Sequence, residues 1–160
     1  MLEKELKNLD KQILDFSKGI NSNTMTVLTS IDEVGPVYAA GILAEIGDIT
    51  FFKNDSVSAK YAGFTWGDKS SGSCRSEDKE LIKSANVFLK YYLSEACNMM
   101  RHNDSSMAAY YSKKYNESLT HKHRRALVLS TRKFIRLVYT LLRNDKLYVN
   151  HHTGEVKHTN

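Results

Sequence analysis

The sequence is poor in the residues that stop helices and in those that staple small folds. Its 160 residues include a single proline, Pro36. A chain so short of proline, with long periodic stretches, is expected to be mostly helical. Its two cysteines, Cys74 and Cys97, make no disulfide framework, which excludes the small secreted scaffolds and points to the cytoplasm. No apolar run approaches the ~18 residues of a membrane span. The start, MLEKELKNLDKQ, lacks the apolar stretch of a signal peptide. There is no internal repeat and no low-complexity tract. With 41% hydrophobic and 26% charged residues, the chain has the composition of a globular domain.

Acidic residues are scarce in one half only. Residues 1–80 hold 9 Lys/Arg against 13 Asp/Glu, while residues 81–160 hold 14 against 5. A half with net charge +9 suits a polyanionic partner such as nucleic acid, or serves as a solvated basic face.

Leu2, Leu6, Leu9, Ile13, Phe16 and Ile20 are spaced 4, 3, 4, 3, 4, a heptad seam. At under three heptads it is short for a free-standing coiled coil. It serves either homo-oligomerisation or docking on the domain's own core, because so short a helix needs tertiary support. Gly19 and Asn21-Ser22-Asn23 stop this helix and cap a second one over about Thr24–Ser30. Pro36 suits the first turn of a helix that runs to Gly47. Asp55 or Ser56 caps a short helix ending at Gly63. Residues 65–78 form a Ser/Gly-rich loop, and helices follow over about Lys79–Arg101, from Asn103-Asp104-Ser105 through Tyr115, and over His121–Arg143. The helical domain spans 21–148, and 149–160 reads as a flexible tail. The fold class is all-α.

Residues 24–47 read as a helix–hairpin–helix. Its turn offers unpaired backbone N–H groups and the positive end of a helix dipole to a DNA phosphate, at Gly35 and Val37. An ordinary αα-hairpin fits the same residues, and Glu33 stands where that motif usually has glycine. On the last helix, Arg125, Arg132, Arg136 and Arg143 fall within about 40° of one another at 100° per residue. Phe134, Leu137 and Leu141 lie opposite. The arginines make a stripe about 27 Å long, flanked by Lys122 and Lys133. A stripe of one sign suits phosphate-backbone binding better than an ordinary mixed surface.

His121, His123, Cys74, Cys97 and the His151-His152 pair lack metal-ligand spacing, so no metal site is expected. Tyr110 and Tyr111 fit packing better than a nucleophilic role. Ser70, Ser71 and Ser73, near Lys69 and Arg75, form either a flexible linker or a source of a serine nucleophile.

Taken together, SIDEVGPVYAAGILAEIGDITFF (Ser30–Phe52), SAKYAGFTW (Ser58–Trp66), Ser71-Gly72 and HKHRRALVLSTRKFIRLVYTLLRNDKLY (His121–Tyr148) resemble the C-terminal domain of a bacterial insertion-sequence transposase family. These are the bridge-RNA-guided transposases, related to the pilin-gene invertase. The resemblance implies a DNA recombinase with an N-terminal RuvC-like domain whose acidic residues bind Mg²⁺, a coiled-coil region whose end is matched by residues 1–20, and a C-terminal domain. That domain's Ser-Gly serine becomes joined to DNA, and the matching residue is Ser71. DNA and a guide RNA are the implied partners, and a bacterial, nucleoid-associated location follows. Beyond Ser71 the family pattern Ser-Lys-x-Gly-Asn, then Leu-Arg, meets Ile82-Lys83-Ser84-Ala85-Asn86 and Leu89-Lys90. Lys83 is kept and is expected at the DNA, while Ser and Gly are replaced.

No RuvC-like segment lies in these residues. The chain is therefore expected to be a piece of a longer protein or a shortened reading frame, inactive alone and without a cofactor of its own. Two rivals remain: a non-catalytic nucleic-acid-binding module from a degenerate element, and a helical oligomerisation domain.

Overall fold

The computed structural model describes residues 1–66, 81 and 85–150. Among the described residues there are six helices: α1 (Leu2–Ser30), α2 (Pro36–Ile46), α3 (Asp55–Tyr61), α4 (Val87–Asn103), α5 (Ser105–Glu117) and α6 (Lys122–Asn144), with a 3₁₀ turn at Ile49–Phe51. Among the described residues there is no β-strand, and an isolated antiparallel bridge joins Trp66 and Leu81. The all-α expectation holds.

One core joins the helices. Met25, Leu28 and Ile31 from the end of α1 meet Ala39, Ile42 and Ile46 of α2. Leu89, Leu93, Ala96, Cys97 and Met100 of α4 and Phe134, Ile135 and Val138 of α6 complete it. Each Leu, Ile, Val, Phe or Met among them contributes about 1.5–3 kcal/mol when fully buried. Gly41 lets α2 approach α4 closely, since a Cβ there would sit 2.5 Å from the Tyr92 ring.

The helix starts are set by side-chain caps. Asn54 Oδ1 accepts from Val57 N–H at 2.9 Å, Asn86 Oδ1 from Leu89 N–H at 2.9 Å, and Asp104 Oδ1 from Met107 N–H at 2.6 Å. Each cap contributes about 1 kcal/mol. The expected cap at Asp55 or Ser56 thus falls to the residue before, Asn54. The expected helix from Lys79 begins instead at Val87, because the Asn86 side chain accepts from the otherwise unpaired Leu89 N–H in the first turn of α4. Gly47 ends α2 with φ +63, as its position after the last apolar residue predicts.

The expected stop near residue 20 is a break at Asn21, with φ −154 and ψ 88. Asn21 Oδ1 accepts from Thr24 N–H at 2.9 Å and so restarts the helix. Before the break, Leu14 packs on the core and Ser17 is buried. The seam does not dock there: Leu2, Leu6, Leu9, Ile13, Phe16 and Ile20 are all exposed, from 38% at Ile13 to 78% at Leu2. Of the two uses left open for this spacing, packing on the domain's own core is the one that the structure removes.

The expected boundary of a flexible tail also shifts. Asn150 Nδ2 donates to Asp32 Oδ2 at 2.7 Å, so residues 149 and 150 belong to the ordered body, and 151–160 lie outside the described residues.

Candidate nucleic-acid interface

Helix α6 owes its strong two-sidedness to residue spacing. Ala126, Ser130, Phe134, Val138 and Leu141 are among the side chains it buries. The opposite side carries Arg125, Arg136 and Arg143, all exposed, and Arg132, half-buried. The sequence-derived stripe therefore faces outward along the helix. His121 and Asp145 bound the helix in left-handed conformations, φ +46 and +53, which these residue types tolerate better than most.

The α2–α3 connection packs beside the stripe. Tyr139 donates its hydroxyl proton to the Phe52 carbonyl at 3.1 Å, and Arg136 Nε donates to Asp55 Oδ2 at 3.1 Å. With Arg136 72% exposed, this ion pair contributes little to stability and is open to exchange with a competing anion. The Thr50 backbone N–H, then its side chain, hold the Asp48 carboxyl below its ordinary range, and Arg143 adds to the effect. Two of the four arginines thus lie near aspartates of the same chain. Sequence spacing along α6 gave no sign of these partners, which come from residues some ninety positions away.

The second candidate is the turn between α1 and α2. Ile31 and Val34 are buried and plug it into the core. Gly35 caps α2 with φ −72, an ordinary extended value, and no side chain caps the helix. Val37 follows and is 40% exposed. The left-handed position is Glu33, with φ +65. Glycine's freedom is therefore used at the residue that carries a carboxylate here, not at Gly35. An added Cβ at Gly35 meets nothing within 4 Å, so the glycine leaves the helix end open without being needed for the fold.

The turn is held from behind by the C-terminal segment, a device that sequence reasoning missed. Tyr148 N–H donates to Ser30 Oγ at 2.9 Å, and Tyr148 Oη–H donates to Asp104 Oδ2 at 2.8 Å. Asp104 is itself buried and caps α5. Burial and this hydrogen bond push the Tyr148 hydroxyl well above its usual range. The only available signal was an aromatic residue just past the last helix.

Ser71 and Lys83 lie outside the described residues, as do Lys69 and Arg75. The described residues flanking that segment are Trp66 and Leu81, joined by their bridge, and Ala85–Asn86. Asn86 Nδ2 donates to Glu45 Oε2 at 2.6 Å and to Tyr61 Oη at 3.1 Å, so this residue ties α2, α3 and α4 together. Lys90 Nζ lies 5.7 Å over the Phe64 ring. Val57, Lys60, Tyr61, Ala85 and Asn86 line a shallow depression beside them. Gly63, with φ +77, closes the corner: its added Cβ would lie 2.4 Å from Ala85 Cβ.

Among the described residues no three His, Cys, Asp or Glu side chains converge as a metal site. They offer no donor set for the Mg²⁺ implied by the family resemblance. Burial pushes the Cys97 thiol up to about 11, which makes it a packing residue and not a nucleophile. No helix among the described residues is long and apolar enough to cross a membrane.

Among the described residues, fold and surface together define a small all-helical domain with an arginine-lined helix, α6, and an uncapped helix start after the α1–α2 turn. Residues 25–112 match the family described as transposase IS116/IS110/IS902. That segment is more than half of the chain, and the protein belongs to this transposase family. It is also similar to the "Insertion element IS116 uncharacterized 44.8 kDa protein" of Streptomyces clavuligerus, with 29% identity over 154 residues. The match covers 92% of this chain and 37% of that relative, so the chain spans well under half of the relative's length. Ser71 and Lys83 lie inside the family segment, whereas α6 and the N-terminal seam lie outside it.

Proposed function

We propose that this chain is the DNA-binding C-terminal part of a transposase, acting in the bacterial cytoplasm on nucleoid DNA. The observation that carries this reading is the outward arginine face of α6. Arg125, Arg132, Arg136 and Arg143 follow one line about 27 Å long, the reach of several successive phosphates. Phosphate contacts of this kind position a protein without reading base sequence. Family membership supports DNA as the polyanion. The turn over 31–35 works in this reading as a helix–hairpin–helix, with the amides at Gly35 and Val37 toward a phosphate and Lys83 as a further contact. Two unrelated duplexes of equal length test it. They should bind equally, and replacing all four arginines with Gln should weaken both at least tenfold. Unchanged binding would remove α6 from the interface.

Within the same reading Ser71 is the nucleophile. Its Oγ–P bond forms as the bond from phosphorus to the departing deoxyribose oxygen breaks, the serine proton goes to a base, and the leaving oxygen takes a proton. Charge stabilisation by Mg²⁺ belongs, in this proposal, to a RuvC-like domain of the longer enzyme. A serine–DNA adduct in that longer enzyme, lost in Ser71→Ala and kept in Ser70→Ala and Ser73→Ala, is the expected result. An adduct that survives Ser71→Ala would overturn the assignment. Absence of any adduct would favour a non-catalytic module from a degenerate element.

The exposed seam supports a second element of the reading, self-association through residues 1–20. Sedimentation should show a dimer or larger species that becomes monomeric when those residues are removed. A guide RNA remains a proposed partner of the longer enzyme, on family resemblance.

A further inference from the structure

Helix α5 carries three tyrosines where it meets its neighbours. Arg101 of α4 lies 4.5 Å over the Tyr111 ring centroid. Lys133 of α6 lies 4.7 Å over Tyr110, Lys122 of α6 lies 5.7 Å over Tyr115, and Lys114 also approaches Tyr110 at 5.7 Å. The rings form a series: Tyr115 and Tyr111 have centroids 6.1 Å apart, and Tyr111 and His123 6.0 Å apart. The Tyr111 hydroxyl and His123 Nδ1 are 2.6 Å apart. Tyr115 is 39% exposed, and Tyr110 and Tyr111 are half-buried.

Charge along the stretch that builds this face is one-sided. From Arg101 to Lys133 there are eight Lys/Arg, and the only acidic residues are Asp104 and Glu117. Asp104 is buried as a helix cap, and Glu117 pairs with Lys113 and Lys114. A purely structural patch would gain by answering such cations with carboxylates. Here rings answer four of them, Arg101, Lys114, Lys122 and Lys133. The patch also borders the arginine line, because Lys122 and Lys133 lie about 60–80° around α6 from it.

We infer that this face, centred on Tyr110, Tyr111 and Tyr115, is a platform for single-stranded nucleic acid. Bases stack on the tyrosine and His123 rings, while Arg101, Lys122 and Lys133 leave the rings to hold phosphates. The chemistry matches what sequence-tolerant strand binding requires: ring faces for any base and mobile cations for the backbone. It rests on the reading of α6 as a duplex surface, since the strand would pass from that face onto α5.

Fluorescence anisotropy of the full chain tests it with four probes: a 12-nucleotide oligo(dT), oligo(U), an abasic oligomer of the same length, and a 20-base-pair duplex. Tyr115→Ala should weaken oligo(dT) or oligo(U) about tenfold, Tyr115→Phe should restore binding, and duplex affinity should stay within twofold. A preference for oligo(dT) or oligo(U) identifies DNA or RNA as the source of the strand. Abasic binding as tight as oligo(dT) and oligo(U) would reduce the site to plain charge and overturn the inference, even if Tyr115→Ala failed to fold. Duplex binding without single-strand binding would overturn it and leave the α6 reading standing. The converse would sink the α6 reading alone.

Discussion

Two places on this molecule suit phosphate, and they are made of different material. The α1–α2 turn offers backbone: an uncapped helix end at Gly35, with Val37 in its first turn. Helix α6 offers side chains, with four arginines along one face. The turn is neutral at its helix end, but its own side chains are Asp32 and Glu33, which repel a phosphate. The difference teaches which surface dominates. A helix end attracts an anion by about 0.3–1 kcal/mol at an exposed site, and a nearby carboxylate offsets much of that. Four guanidinium groups release counterions as they meet phosphates. Binding should therefore be governed by α6, with the turn as a minor contact.

The largest expected effect separates stability from binding. Gly41→Ala puts a methyl into the Tyr92 ring and loosens α2 from α4, at a cost of about 1–3 kcal/mol. Chemical denaturation measures this. Duplex affinity of the folded fraction should hardly change if α6 dominates, and a large loss would promote the turn.

Next is the clamp behind the turn. Tyr148→Phe removes a hydroxyl donor from the buried Asp104 and should cost about 1–2 kcal/mol at neutral pH. The native hydroxyl titrates above the ordinary tyrosine value of 10.0, so the clamp's contribution is full below that pH and fades as pH rises beyond it. Cys97 adds a change of the same sign between pH 9.0 and about 11. Denaturation midpoints of wild type and Tyr148→Phe should converge above pH 10. A constant gap would show that the hydrogen bond is not the source.

Glu33→Gly is a smaller and more pointed change. It relieves the left-handed strain at φ +65 and should stabilise the fold by about 0.5–1 kcal/mol. It also removes a carboxylate beside the helix end. A few-fold gain in duplex affinity would show that the turn touches phosphate, and stabilisation without that gain would leave α6 as the sole interface. Smallest is Asp55→Asn, which frees Arg136 from its exposed partner and should raise low-salt duplex affinity about twofold, read by the same titration.

Much of this architecture was legible. Gly47, Asp104 and the apolar spacing of α6 marked their helices because each signal acts within one turn of the chain. The arginine face was readable for the same reason. The start of α4 was not, since Leu81 and Ile82 extend its apolar pattern while Asn86 actually caps it. The partners Asp55 and Tyr148 were invisible because they approach from distant positions. Gly41 reads as an ordinary mid-helix glycine until Tyr92 is seen across from it. The heptad seam could not reveal its use, because a core-facing stripe and a partner-facing one share the same spacing.

The central claim is that α6 holds the DNA backbone through its arginines. The most direct measurement is the dependence of duplex affinity on salt for wild type and for Arg132→Ala/Arg136→Ala. Four phosphate contacts give a slope of about −3.6 in log K against log salt, at roughly −0.9 per phosphate. The double variant should flatten it to about −1.8. A slope that stays the same in the double variant would contradict the account.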